Sequence, residues 1–465
     1  MEQNKNYDIL HLTTLLEEKR YTALINELDE IHPVDAADFL SELDETRLPV
    51  VFRLLKKDTA ASIFAEMDTD LQSLILSKLN DREVRAIIDD LYLDDAADLL
   101  EELPAGVVKR LMQLATPETR AELNRLLSYP ENSVGSVMTS EFIDLRKNMT
   151  AAEAIARIRR IGLDSETVYV AYVTDPARVL EGVVPLKKLL FADPDTTIAD
   201  IMDSNIVFAY TSDDREVAAN AISHYDLLAL PVVDKEQRLV GIVTVDDAMD
   251  VIESEATEDI ERMAAILPTD KPYARTGVFE TFSKRVPWLL LLMLTATLTG
   301  SIISHYEVAI GTYAILTAFF PMLMGTGGNA GSQSSVAIIR SLSLGEIEVR
   351  DVFSVLWKEL RVSMLCGVTL AVATFIKLML IDFRLQLTTV TDTGMVQNNL
   401  VLAMIISATL FFAIVVAKLV GTLLPIGAKR IGLDPAVMAS PFITTVVDTV
   451  TLVIYFSIAS RVLGF

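Results

Sequence analysis

The stretch from Pro435 to Ser460, PAVMASPFITTVVDTVTLVIYFSIAS, decides the fold of the C-terminal part of this chain. It is longer than the roughly 20 residues that a helix needs to cross a bilayer, and Asp448 is its only charged residue. An aspartate at that depth costs roughly 2.5–3.5 kcal/mol, so it usually faces protein or water. We therefore expect a membrane helix whose aspartate marks an ion path or a proton relay.

Polar residues recur in this stretch at helical spacing. Ser440, Thr444, Asp448, Thr451 and Tyr455 are three or four residues apart, which predicts one polar stripe on an otherwise apolar helix. The alternative is an aspartate paired with a lysine inside a helical bundle, which would have a structural role only.

Charge is distributed unevenly along the 465 residues. The chain has 64 acidic and 40 basic residues, but only nine acidic and ten basic residues occur from Val286 onward, so residues 1–285 carry a net charge of −25. Such a carboxylate field argues against nucleic acid as a partner and favours cations. Cys366, the single cysteine, excludes a disulfide framework and a thiolate metal site. The first apolar stretch follows Arg285, so we expect no signal peptide and a soluble part on the side of synthesis.

Residues 1–135 predict an all-helical domain. Leucines recur at helical spacing, and VDAADFLSELD from Val34, DTAASIFAEMD from Asp58 and DDAADLLEEL from Asp94 form a weak internal repeat. We expect short antiparallel helices stacked as a small superhelix. Asp94, Asp95 and Asp98 cluster at one helix start, where they are either cation ligands or charges that complement the helix dipole.

From Ser136 onward strands alternate with helices, and a second repeat occurs. SVMTSEFIDL from Ser136 and DIMDSNIVFA from Asp200 open two similar units, and the second contains the stretch GIVTVDD from Gly241 to Asp247. The pattern resembles a tandem pair of CBS domains, over residues 136–200 and 201–255. The resemblance implies that Thr244 and Asp247 bind a nucleotide such as ATP, whereas Pro185 and Lys188 occupy these places in the first unit. The alternative is a capping box at a helix start.

An acidic, helix-like segment follows the second unit. Between Asp246 and Ile266 eight carboxylates accompany a single basic residue, Arg262, and like charges one turn apart destabilise an isolated helix. Oxygen-only clusters of this kind suit hard cations such as Mg2+ or Ca2+. The alternative is a solvated helix. We expect such a hard cation to bridge acidic surfaces through a set of carboxylates at Asp94, Asp95, Asp98, Asp226, Asp247, Asp250, Glu255, Glu258 and Asp259.

Five apolar spans are expected within residues 286–465. They cover 286–304, 308–339, 355–381, 400–424 and 436–459, and the flanking basic residues place the N-terminal domains in the cytoplasm and the C-terminus outside. The second span contains PMLMGTGGNAGSQSS from Pro321. Its glycines allow close helix packing, and Asn329 and Gln333 place two amides on one helical face. Packing alone explains the glycines better than it explains the amides.

The order of these segments, with GTGGNAGSQSS in the second span and TTVVDT around Asp448 in the fifth, closely resembles the MgtE family of magnesium channels and transporters. The resemblance implies a homodimer in the cytoplasmic membrane, with a pore on its two-fold axis, lined by Asn329, Gln333, Ser440, Thr444 and Thr445. It also implies that Asp448 binds hydrated Mg2+ and that a linking helix within residues 256–285 closes the pore when cytosolic Mg2+ is high.

The expected fold is therefore multidomain, and no enzymatic activity is expected. An α-helical N-terminal domain precedes an α/β CBS pair, an acidic linking helix and an α-helical membrane domain. Two other functions stay open at this point. One is a membrane-anchored CBS sensor of nucleotides or cations, which would need no carboxylate inside the membrane. The other is a proton-coupled carrier of divalent cations such as Co2+ or Mn2+, in which Asp448 would relay protons.

Overall fold

The fold was obtained as a computed structural model, which describes residues 9–162, 165–269, 273, 276–307, 314–390, 396–438 and 440–464. The chain forms two compact units, residues 1–252 and 253–465, and each is described by itself.

The first part of the N-terminal unit is a series of short helices, as the sequence predicts. The helices are α1 Ile9–Glu17, α2 Tyr21–Glu30, α3 Pro33–Ser41, α4 Leu48–Phe52, α5 Lys57–Ala65, α6 Thr69–Lys78, α7 Asp81–Ile88, α8 Leu93–Glu102, α9 Ala105–Leu114 and α10 Pro117–Leu126. Helices α3, α5, α7 and α9 pack in series, α4 packs with α6, and α8 packs with α10, which is the arrangement of a superhelix. A capping box of Asn80 and Glu83 begins α7, since each side chain accepts a hydrogen bond from the other residue's backbone amide.

Two α/β repeats follow with the same topology. In each three-stranded sheet the first strand pairs parallel with the second, and the second pairs antiparallel with the third. Both second strands also shift register near their end, at Val173 and at Val232. The first repeat comprises β1 Asp144–Leu145, α11 Ala151–Ile161, β2 Val170–Thr174, β3 Leu180–Pro185, α12 Leu186–Phe191 and α13 Ile198–Ile201. The second comprises β4 Ala209–Tyr210, α14 Arg215–Tyr225, β5 Ala229–Val233 and β6 Leu239–Thr244.

The acidic segment forms one helix, α15, from Val245 to Met263. It begins directly after β6, so the second repeat and the acidic segment share a continuous helix. The linking helix predicted for residues 256–285 does not have these bounds in the structure. Its first part is the end of α15, and its last part, from Val278, belongs to the first membrane helix.

The C-terminal unit consists mainly of long helices. They are α16 Val278–His305, α17 Phe320–Ser343, α18 Val352–Lys377, α19 Asn399–Arg430 and α20 Ser440–Leu463, with a short hairpin of β7 Thr388–Val390 and β8 Val396–Asn398 before α19. Within the described residues, four segments are long and apolar enough to span a membrane: Val278–His305, Val349–Asp382, Asn399–Arg430 and Pro435–Leu463.

The expected second span differs from the other four. Residues 308–313 of that span lie outside the described residues, a 3-10 turn covers Ala314–Phe319, and α17 has 24 residues. This length would cross a bilayer at about 1.5 Å per residue. However, α17 contains the polar run GTGGNAGSQSS and is not among the four apolar segments. It packs against α19 and α20, and α19 is the most buried of the membrane helices.

Candidate cation sites

Glycines on one face of α17 bring it into close contact with α20. A methyl group added at Gly327 would lie 3.1 Å from Thr451 Oγ1, and one at Gly328 would lie 3.0 Å from Thr444 and 3.8 Å from the Asp448 carboxylate. The glycine stripe, defined as Gly327, Gly328 and Gly331, therefore lies beside the polar stripe of α20. The packing role expected for these glycines is thus visible in their contacts.

The same stripe also contacts α19. A methyl group at Gly331 would lie 3.1 Å from the Ala417 carbonyl oxygen, and one at Gly421 would overlap the Gly331 carbonyl. The two helices therefore meet backbone to backbone, which is a contact that small residues allow in membranes.

We expect Gly421→Ala to destabilise the membrane unit by about 1–3 kcal/mol, because backbone atoms of α17 cannot move aside as a flexible side chain can. Gly427→Ala on the same helix is the matched control, since nothing lies within 4 Å of a methyl group there. Thermal unfolding of the detergent-solubilised protein measures both. Equal melting temperatures for the two variants would contradict the close contact.

Asp448 is half-buried and lacks a protein partner. Among the residues that the structure describes, its carboxylate accepts no hydrogen bond and has no cation within 4.0 Å. The Thr444 and Thr445 hydroxyls both donate to the Pro441 carbonyl oxygen, at 2.9 and 3.0 Å. These bonds leave oxygen lone pairs near Asp448 that can accept hydrogen bonds from water.

The predicted polar stripe of α20 is divided by burial. Thr444 and Asp448 are partly exposed, as is Thr445 beside the stripe, whereas Thr451 and Tyr455 are buried. The Tyr455 hydroxyl donates to the Leu316 carbonyl at 3.1 Å. The Ser440 side chain lies outside the described residues. The part of the stripe at Thr451 and Tyr455 thus packs against protein, and the part at Thr444 and Asp448 is accessible.

The two amides of α17 lie on a face that the described part of the chain leaves exposed. Asn329 and Gln333 are exposed and one turn apart, and nothing lies within 4 Å of a methyl group added at the exposed Gly325 on the same face. We call Gly325, Asn329 and Gln333 the amide face.

No lysine among the described residues pairs with Asp448. The buried lysine of this unit, Lys418 on α19, bonds Ser334 on α17, which in turn bonds Glu359 on α18. Nothing in the local sequence marks these three residues, because their pairing joins positions far apart in the chain.

In the N-terminal unit three carboxylates converge. Asp94 at the start of α8, Glu141 before β1 and Glu166 before β2 each offer an oxygen, and these oxygens all lie within 4.8 Å of one another. The Glu141 carboxylate also accepts a bond from the Leu93 amide at 3.0 Å. Of this carboxylate triad only Asp94 was predicted. Glu141 and Glu166 are isolated acidic residues within the repeats, and only the fold places them together.

Burial and mutual repulsion raise the pKa values of this region. Burial and then the Asp247 charge raise the pKa of Glu166 to about 8 and that of Asp95 to about 6. The same two causes hold the pKa of Asp94 well above its ordinary value. Burial, followed by the neighbouring Asp246 and Asp250 charges, also raises the pKa of Asp247 against the lowering effect of its bond to Thr244. The cluster therefore favours a bound proton or cation over bare negative charge.

These raised pKa values predict that the metal-free protein loses stability as pH rises from the ordinary carboxylate pKa to about 8, and that the part of the loss between pH 6 and pH 8 comes from Glu166. The folded state binds more protons than the unfolded state between the ordinary carboxylate pKa and the raised values, so stability falls across that window and is constant above it. Thermal unfolding in EDTA at pH 6 and pH 8 measures the effect, at roughly 2–4 °C for each kcal/mol. The dependence should weaken in Glu166→Gln, and an unchanged profile in that variant would contradict the assignment.

The other cation ligands predicted in the N-terminal unit lie on three different helices or helix ends. Asp98 on α8 and Asp250 on α15 are exposed, and Asp226 ends α14 with a left-handed backbone at φ 52°. Asp250 is one turn from Asp247 and contributes to its raised pKa. The structure thus groups Asp94, Asp95, Asp247 and Asp250 electrostatically.

Thr244 and Asp247 bond to each other at the start of α15. The Thr244 hydroxyl and its backbone amide both donate to the Asp247 carboxylate, the amide at 3.4 Å. This is half of the capping interaction expected as the alternative to nucleotide binding.

The end of α15 contacts the membrane helices within the C-terminal unit. Arg262 bonds both Glu258, one turn earlier, and Asp434, which lies between α19 and α20. The Ser343 hydroxyl at the end of α17 donates to Asp259 at 3.3 Å. Burial and the Asp434 charge raise the pKa of Asp259. Glu258, Asp259 and Asp434 thus meet where the membrane helices α17 and α19 end. Asp434 was not among the predicted ligands. The predicted ligand Glu255 is half-buried, one turn before Glu258 and Asp259.

In the described residues the membrane unit contains a carboxylate without a partner, Asp448, and this unit is joined to a strongly acidic soluble part. These features are typical of a membrane protein that binds or transports cations. Three family models match the chain: "Divalent cation transporter" over residues 320–458, "MgtE intracellular N domain" over 31–132 and "CBS domain" over 198–254. The chain is 37% identical to the magnesium transporter MgtE of Thermus thermophilus, over 97% of this chain and 98% of that protein. It is 30% identical to the MgtE of Bacillus subtilis, over 99% of each.

Solved structures resemble the soluble part. The cytosolic domain of the Mg2+ channel MgtE in complex with ATP is 40% identical, with a TM-score of 0.50 over 52% of this chain and 100% of that one. The soluble part of a magnesium transporter is 30% identical, with a TM-score of 0.51 over 53% of this chain and 98% of that one. The chain belongs to the MgtE family of magnesium transporters. It is a multi-pass membrane protein with soluble N-terminal domains, Mg2+ is the transported ion, and the protein is not an enzyme.

Proposed function

We propose that this chain forms a homodimeric Mg2+ channel or transporter in which Asp448 binds the permeating ion. The observation that carries the proposal is the environment of Asp448: a half-buried carboxylate in a membrane helix, beside the glycine stripe of α17 and without a partner among the residues that the structure describes. A carboxylate kept in the membrane without a partner is costly, and such residues mark ion pathways.

The chemistry around Asp448 suits hydrated Mg2+. This ion binds six oxygens at about 2.0–2.1 Å and loses water reluctantly, so one or two carboxylates with hydrogen-bonding neighbours are sufficient. Threonine hydroxyls and the two amides supply such neighbours, and the absence of thiolate and imidazole near Asp448 in the described sequence disfavours softer metals. We propose Thr444, Thr445, Ser440, Asn329 and Gln333 as the residues that contact the ion's water shell.

The proposed dimer would cover the amide face. Polar amides in a membrane helix need protein or water on that side, and the described chain leaves Asn329 and Gln333 exposed. Two copies of α17 and α20 around a two-fold axis would give a water-filled path with two Asp448 carboxylates. In this arrangement α17 is a membrane span, second in chain order, which brings the number of spans to five, the soluble domains are cytoplasmic and the C-terminus lies outside.

We propose that cytosolic Mg2+ closes this path through the acidic soluble residues. The carboxylate triad, together with Asp95, Asp98, Asp226, Asp247 and Asp250, would bind Mg2+ in a compact closed state, as would Glu255, Glu258 and Asp259. The raised pKa values of Glu166, Asp95 and Asp94 support this, because they indicate negative charge that a cation would stabilise.

ATP is proposed as a further ligand of the second CBS repeat. The support is the relative whose cytosolic domain was crystallised with ATP. In this chain Thr244 is buried, and its hydroxyl donates a hydrogen bond to the Asp247 carboxylate. A nucleotide bound there would have to replace this hydrogen bond. Calorimetric titration of ATP against Thr244→Ala tests the assignment.

The test of the proposed function is Mg2+ flux into liposomes that contain the purified protein, with Mg2+ as the only divalent ion. We expect flux without a proton gradient, and inhibition by Mg2+ on the side of the soluble domains. Flux that requires a proton gradient would instead support a carrier, and absent flux would support the anchored sensor.

A further inference from the structure

Three membrane helices are joined by a hydrogen-bonded chain of side chains inside the C-terminal unit. Lys418 Nζ on α19 donates to Ser334 Oγ on α17 at 3.2 Å, and Ser334 Oγ donates to Glu359 Oε2 on α18 at 2.8 Å. Lys418 is 6% exposed and Ser334 is 2% exposed. The ammonium therefore contacts a hydroxyl that lies between it and a carboxylate.

This chain lies inside the membrane unit, roughly 9 Å along α17 from the proposed ion site. A helix rises about 1.5 Å per residue, Gly328 lies beside Asp448, and Ser334 follows Gly328 by six residues. Lys418 is roughly 18 Å from the end of α19. A lysine at this depth is costly, which indicates that its position has a use.

We propose that Lys418, Ser334 and Glu359 are positioning residues for Mg2+ passage, and that they fix the rotation of α17 about its own axis. The inference rests on the proposed function, in which the amide face of α17 contacts the ion's water shell.

The contact between α17 and its neighbours explains why such a device is needed. Around Gly331 the two helices meet backbone to backbone at Ala417 and Gly421, whereas apolar side chains pack between them further along, where Ile338 contacts the cluster of Ile426. A smooth glycine surface sets the distance between helices but fixes their rotation weakly, whereas hydrogen bonds are directional. Ser334 follows Gly331 by three residues, so it lies on the buried face, and the amide face points elsewhere.

A small rotation would be sufficient to misplace the amides. Side chains lie about 5–6 Å from the helix axis, so a turn of about 20° moves them by about 2 Å. Binding sites generally need their groups held within about 0.5 Å. Loss of the chain should therefore change how the water shell of the ion is contacted, while the helices remain packed.

The first test is Ser334→Ala in the full-length protein reconstituted in liposomes. We expect Mg2+ uptake per inserted molecule to fall roughly tenfold, and uptake of Co2+ and Ni2+ relative to Mg2+ to rise. Ser334→Thr keeps the hydroxyl and should restore both values. Ser363→Ala is the matched control, because Ser363 is equally buried on α18 and its hydroxyl donates to the Leu360 carbonyl of its own helix.

The second test separates positioning from a merely structural role. Lys418→Met or Glu359→Gln alone leaves one charge without its counterpart and should lower the amount of inserted protein. The double variant removes both charges and should restore insertion, but not the Mg2+ to Co2+ ratio of the parent. Parent-like rate and selectivity in Ser334→Ala or in the double variant would overturn the inference.

The pore proposal is tested separately by Asp448→Ala. If that variant transports like the parent, the proposed function fails. If it is inactive while Ser334→Ala is parent-like, only the positioning role fails.

Discussion

Asp448→Ala should abolish Mg2+ transport, to at least roughly a hundredfold below the parent rate, and leave a folded protein. The reason is that Asp448 contributes charge and not packing: among the described residues its carboxylate has no partner that would be left unpaired. Removing an uncompensated membrane carboxylate should, if anything, raise thermal stability. Uptake in liposomes and thermal unfolding of the same preparation measure both effects.

Two control variants make this result specific. Asp448→Asn keeps the size and loses the charge, so it should be as inactive as the alanine variant. Asp382→Ala removes another carboxylate of the membrane unit, one that pairs with Lys377 at 3.0 Å at the end of its helix, and should transport like the parent. Normal uptake by Asp448→Ala, or equal losses in Asp382→Ala, would contradict the assignment of the ion site.

The sequence was sufficient to predict the features that depend on local pattern and cost. Asp448 was identified because a charge in an apolar span is expensive, and the superhelix and the two α/β repeats because their periodicity is local. The packing role of the glycines followed from the same reasoning. In each case the signal lies within about one helix of sequence.

Features that depend on long-range pairing could not be predicted in this way. Glu359 stands between Lys358 and Arg361 at the start of a span, where it resembles an ordinary flanking charge, and its partner Ser334 is 25 residues away. By sequence, Lys418 is simply one of the ten basic residues of the membrane part, and nothing near it indicates a partner. Glu141 and Glu166 also resemble ordinary surface residues by sequence, and they form a candidate cation site only because the repeats bring them to Asp94.

The second large effect concerns closure by Mg2+. Shifting a two-state gate from 1:99 to 99:1 requires about 5.5 kcal/mol of differential binding, which four or five sites of about 1–1.5 kcal/mol each would supply. No single site should therefore be decisive. Glu258 illustrates this, because Arg262 bonds both Glu258 and Asp434, so loss of Glu258 leaves Arg262 with its other partner.

We expect a variant with five carboxylates neutralised to transport at Mg2+ concentrations that close the parent, with its half-inhibitory concentration raised by more than roughly tenfold. Single changes such as Asp247→Asn should shift that concentration only modestly. The five changes are Asp247→Asn, Asp250→Asn, Glu255→Gln, Glu258→Gln and Asp259→Asn.

A control of equal charge change separates local binding from the overall field of the soluble part. Five exposed carboxylates elsewhere in the N-terminal unit serve this purpose: Glu42, Asp70, Glu118, Asp193 and Asp195. Neutralising them removes the same charge and should leave the inhibitory concentration near that of the parent, because exposed charges more than a Debye length of about 8 Å away are screened. Closure of the first variant at the parent's Mg2+ concentration, or an equal shift in both variants, would mean that the acidic helix is solvated and that the gate responds to Mg2+ through other residues.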